Sequence, residues 1–128
     1  MFRQFWLKTY VTKITESGLA HELGPLLENH PNFPNRTNVQ FVKVLNRNAI
    51  RIEIWERGAG YTLASGSSSC AADSVAYKLG LCDQKIKVHM PGGEIDIEIS
   101  ADVFVTMQGS VAAICSGDIS NECLQQTF

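Results

Sequence analysis

The chain has 128 residues, 45% hydrophobic and 19% charged, with a net charge of −2. That length and balance fit one globular domain with its own core and give no electrostatic pull toward nucleic acid or an anionic membrane. No apolar run approaches the roughly 18–20 residues that cross a bilayer, and the aromatic start "MFRQFWLKTYV" lacks the apolar core of a signal peptide.

The elements follow in order. "WLKTYV", Trp6 to Val11, reads as a strand of aromatic and β-branched residues. Ser17-Gly18 opens a short helix through "LAHELGPLLENH", with Leu19, Leu23, Leu26 and Leu27 at helical spacing and a break or kink expected at Gly24-Pro25. "PNFPNRT" is a loop. "NVQFVKVL" and "AIRIEIWERG" form a predicted hairpin around the turn "NRN". In its second strand Ile50, Ile52 and Ile54 line one face and Arg51, Glu53 and Trp55 the other. The stretch "SCAADSVAYKLGL" predicts a helix of small residues buried on most sides, with Gly80 as its C-terminal cap. "KIKVHM", the turn "PGG" and "EIDIEIS" give a second hairpin. "DVFVTMQG" and "SVAAICSG" are two further strand candidates, and the polar tail "NECLQQTF" is expected to fray. The pattern predicts a single α+β domain over residues 1–128, with a curved, mostly antiparallel sheet wrapped around a central helix.

Cys70, Cys82, Cys115 and Cys123 show no C-x-x-C spacing, and the three histidines are scattered. These spacings predict no metal site and reduced thiols in a cytoplasmic protein.

"WERGAGYTLASGSSSCAADSVAYKLG", Trp55 to Gly80, reads as a strand end, a glycine-rich turn and a helix start. The first helical turn presents free N–H groups and the positive end of the dipole, so it favours a carboxylate. Ser65 stands at the tight point, where a cysteine would be activated but a serine needs an adjacent base. Serine is also a common helix N-cap, so capping by Ser65 or Ser67 accounts for the same residues. Arg57 reads equally as a surface charge, "PGG" as a hairpin turn, Cys70 as core and His30 as a helix-end residue.

"GPLLENHPNFPNRTNVQFV", "IEIWERGAGYTLASGSSSCAA" and "VHMPGGEIDIEI" resemble, in order and spacing, the C-terminal domain of the diaminopimelate epimerase family, from about Val11 to Gly117. The resemblance implies a two-domain, cofactor-independent enzyme of lysine biosynthesis that inverts an α-carbon with one cysteine from each domain. It implies that Glu56 and Arg57 hold the distal amino and carboxylate groups of the substrate, with Asn38 adding a hydrogen bond. Gly66 and Ser67 would offer backbone donors to the carboxylate beside the reacting carbon. Ser65 stands where the family has its second catalytic cysteine.

The departures weigh as much. Ala64-Ser65-Gly66 replaces A-C-G, Arg3-Gln4-Phe5-Trp6 falls where a G-N-P-H motif is expected, and Tyr61 replaces an acidic residue. One lost acid–base group costs roughly 10²–10⁴ in rate. A chain lacking both thiols is therefore expected to be catalytically impaired alone, retaining at most weak binding of a small amino acid or dicarboxylate. The alternatives are a homodimeric interaction protein, with Phe2, Phe5 and Trp6 packing across the interface, and a half-enzyme completed by a separate chain. No cofactor and no metal are expected.

Overall fold

The computed structural model describes residues 9–13 and 18–125. The expected strand appears as β1, Thr9–Lys13; its first residues, and Phe2, Phe5 and Trp6, lie outside the described residues. Helix α1, Leu19–Glu28, follows, with Gly18 as N-cap at φ 96.

The predicted break at Gly24-Pro25 does not occur: α1 runs through Pro25. Gly24 lets the helix lie directly on the indole of Trp55, because a Cβ there would sit 2.5 Å from the ring. Packing of this kind outweighs the single backbone donor that proline removes. Asn29 Nδ2 donates to the Pro25 carbonyl at 2.8 Å and closes the helix end. At the other end Gly18 N donates to both carboxylate oxygens of Glu53, at 3.2 and 3.3 Å, which places a negative charge at the helix N-terminus.

β2, Asn38–Asn46, and β3, Ala49–Glu56, form the expected hairpin. β4, Gly60–Thr62, pairs with the far end of β3. Helix α2, Gly66–Lys78, leads to β5, Lys85–Met90, which runs parallel to the near end of β3. β6, Gly93–Ile99, closes the second predicted hairpin, and β7, Val105–Gln108, pairs antiparallel with β6. The seven-stranded sheet has the order β1-β2-β3-β5-β6-β7, with β4 beside β3. The β1–β2 and β3–β5 pairings are parallel and the others antiparallel, so the sheet is mixed.

The sheet has two covered faces. On one, Val42, Ile50, Ile52, Ile54, Ile86, Val88 and Ile97 pack against Ala72 and Ala76 of α2. That helix touches β1, β2, β3, β5, β6 and β7, which is possible because the sheet curves around it. On the other face Val39, Phe41, Trp55 and Tyr61 pack under Ala20, Leu19 and Leu27 of α1. Consequently Glu53 is buried and Trp55 half-buried, while Arg51 alone of that expected trio is exposed. The alternation was legible, but not the helix that covers its second face.

The α2 helix is buried along one stripe, Ser68, Ser69, Ala72, Asp73 and Ala76. Its opposite stripe is open, with Ser67 and Val75 exposed and Cys70, Ala71 and Ser74 half-buried. Burial on most sides is thus corrected to burial toward the sheet. The helix ends as predicted at Gly80, φ +70, with Gly80 N donating to Tyr77 O and Leu81 N to Ala76 O, a Schellman pair.

"SVAAICSG" is not a strand. It runs out without regular structure, with Val111 98% and Ile114 94% exposed, because nothing pairs with it among the described residues. The tail forms a short exposed helix, α3, Asn121–Leu124, instead of fraying there. Among the described residues, no helix is long and apolar enough to cross a membrane.

Candidate functional site

Asn38 opens β2 and Glu56 ends β3, so the antiparallel pairing brings both to one end of the sheet. Asn38 Oδ1 accepts from Arg57 N at 2.8 Å, and Arg57 Nη1 donates to Asn35 O at 3.1 Å. Glu56 is half-buried and Arg57 exposed. Gly58 and Gly60, at φ 78 and 80, allow the tight reversal into β4.

A residue that the sequence reading passed over holds this turn. The carboxylate of Glu28 is buried and accepts from Trp55 Nε1 at 2.7 Å, Gly58 N at 3.0 Å and Arg36 Nη1 at 2.9 Å. The Trp55 donor above all, with Gly58 and Arg36 beside it, lowers the pKa of Glu28 against the opposing effect of burial. The available signal was an acid in the last turn of a helix with no base there, where the dipole disfavours it.

Three residues beyond β4 lies the start of α2. Ser65 is its N-cap in extended conformation, with Oγ accepting from Ser68 N at 3.4 Å and lying 3.3 Å from Ser67 Oγ. Its carbonyl accepts from Ser69 N and Ser69 Oγ at 3.0 and 2.8 Å. The N–H groups of Gly66 and Ser67 donate to nothing among the described residues, as expected of an open helix start. Gln40, fully buried, donates to Ser68 Oγ at 3.0 Å and accepts from Thr9 Oγ1, tying this start to β1 and β2.

The wall beside the helix start also escaped the sequence reading. Met90 Sδ accepts from Ser65 N at 3.4 Å and lies 3.2 Å from Ser69 Oγ. Gly92 N donates to Leu63 O at 2.8 Å and holds the β5–β6 turn against the approach to Ser65. A Cβ on Gly66 would meet Met107 Sδ at 2.9 Å. The resulting open hollow, about 300 Å³, is lined by Ser65, Gly66, Met90, Gly92, Glu94 and Gly109 among others.

The structure therefore joins Asn38 to Arg57, and Ser65 to Ser67, as two groups. Among the described residues no hydrogen bond or ion pair links one group to the other. Cys70, one turn into α2, has its thiol pushed up by burial and then by Asp73, so it is held protonated. Among the described residues no three His, Cys, Asp or Glu side chains converge as metal ligands.

An open mixed sheet curved around one capped helix is also the fold of a PhzC/PhzF-type phenazine biosynthesis protein from Clostridium difficile. The TM-score is 0.53 and the identity 15%, over 73% of this chain and 34% of that one. At the level of sequence, residues 8–114 match the diaminopimelate epimerase family model, and the chain belongs to that family. "Diaminopimelate epimerase 2" of Nostoc sp. (strain PCC 7120) is 60% identical over 106 residues, which is 83% of this chain and 37% of that protein. The diaminopimelate epimerase of Moorella thermoacetica is 44% identical over 97 residues, 75% of this chain and 35% of that protein. The chain thus spans little more than a third of the length of these relatives.

Proposed function

We propose that this epimerase-type domain binds the carboxylate of a small amino acid or dicarboxylate at the start of α2 and does not by itself invert its α-carbon. The observation that carries this reading is the division of labour at the cap. Ser65 Oγ is engaged with Ser68 N and Ser67 Oγ, while Gly66 N and Ser67 N donate to nothing among the described residues. A capping hydroxyl with no histidine or carboxylate hydrogen-bonded to it among the described residues is not an activated base or nucleophile, whereas the open amides at a helix start suit an anion. Glu94 lines the same hollow, with its carboxylate already paired to His89 Nδ1 at 2.8 Å and Lys87 Nζ at 3.5 Å. Asn38, Glu56 and Arg57 supply the polar end for a longer ligand.

The test of turnover is solvent-deuterium incorporation at the α-carbon of diaminopimelate. No exchange above background is expected for this chain or for Ser65→Cys, because the resemblance places the opposing thiol on the other domain. Exchange at the rate of a working epimerase would overturn the reading.

A second reading, self-association, is favoured by a separate observation. Val103, Phe104, Met107, Val111, Ile114 and Ile119 are between 55% and 98% exposed along one continuous stretch. Apolar exposure on that scale marks an interaction surface.

A further inference from the structure

Two features of the fold lack an apolar partner among the described residues. The first is a slot of about 220 Å³ beside α2, lined by Thr9 of β1, by Cys70, Ala71, Ser74 and Val75 of the helix, and by Val105 of β7. β1 and β7 are the outermost strands of the sheet, each paired on one side only among the described residues. The curve of the sheet thus brings both free edges to the open stripe of α2 and leaves a gap between them. The second feature is the chain after β7, where Val111, Ile114 and Ile119 are 98%, 94% and 69% exposed.

We propose that Ser110–Ile119 of a second copy of this chain lies in the slot as an added strand, reciprocally, in a two-fold dimer. This deepens the self-association reading and rests on it, but not on ligand binding. Strand addition satisfies an unpaired edge while the alternate side chains fill the apolar slot. The occupant is a second copy because the chain's own segment is directed elsewhere. Gly109 and Ser110 line the hollow at the start of α2 with Met90, Gly92 and Glu94, so the chain leaves β7 toward the β5–β6 turn. Entry into its own slot would require a reversal at Gly109, which instead lies beside Ile95. Mutual exchange of one segment into one slot closes the assembly at two.

The experiment uses the full chain. Light scattering gives its mass. A short bis-maleimide then links slot to segment through the native Cys70 and Cys115, and peptide mass analysis maps the link in each gel band. A dimer is expected, with Cys70–Cys115 linked in the dimer band. Val111→Asp, on the same strand face as Cys115 and 98% exposed in the single chain, is expected to weaken dimerisation at least about tenfold with an unchanged circular dichroism spectrum. A monomer at high micromolar concentration overturns self-association altogether. A dimer without the Cys70–Cys115 link, or with that link in the monomer band alone, overturns the slot and leaves self-association standing.

Discussion

Replacing Asp73 by asparagine raises the unfolding midpoint at pH 8 by on the order of 10 °C and leaves it nearly unchanged at pH 4. Asp73 lies on the buried stripe of α2, fully shielded from solvent, and neither carboxylate oxygen has a hydrogen-bond partner among the described residues. Burial pushes its pKa up from 3.8 to about 7. At about 1.4 kcal/mol per pH unit, that change corresponds to roughly 4 kcal/mol. The sign follows from linkage. A carboxyl whose folded pKa is raised contributes stability that is fully present below 3.8 and lost as pH rises through about 7. Asparagine keeps the shape and cannot ionise, so it removes this loss. Thermal unfolding of both proteins from pH 4 to pH 8 checks it. Parallel curves for the two would show that Asp73 finds a partner and is not an isolated buried acid.

Glu28→Gln is expected to destabilise the domain by about 2–4 kcal/mol. The native carboxylate receives only donors: Trp55 Nε1 at one oxygen, and Gly58 N and Arg36 Nη1 at the other. An amide presents its own donor to at least one of them, leaving a group unpaired in a covered place. The pH dependence is opposite to that of Asp73. Glu28 has a lowered pKa, so its contribution is present above 4.5 and lost as pH falls through the folded value. Urea unfolding followed by tryptophan fluorescence measures the loss. A change within about 0.5 kcal/mol would mean that the network does not hold the Arg57 turn.

These two residues mark where sequence reasoning stops. The hairpins, the capped helix and the Gly80 stop were legible because each rests on local chemistry: alternation, turn residues, a serine before a helix and a glycine after it. The path of α1 through Pro25 was not, because it depends on the indole of a residue thirty positions away. Glu28 likewise meets its partners only after folding. Asp73 was visible in "CAADSVA" as one charge in a small apolar helix, but its isolation depends on the strands around it. Alternation in "SVAAICSG" says that the segment can be a strand and not that an edge lies within reach. In the candidate site, Ser65, Gly66 and Ser67 were legible as a helix start, whereas Met90 and Met107 arrive from distant strands and Gly92 from the β5–β6 turn.

The most direct test of the site is an amide chemical-shift titration with an amino dicarboxylate. Two or three charge-assisted contacts at roughly 1.5–3 kcal/mol each, less the cost of immobilising the ligand, correspond to millimolar affinity. The Gly66 and Ser67 amides are expected to shift together along one saturating curve in that range. If they stay still while remote residues move, Ser65 is a helix cap and no binding site remains.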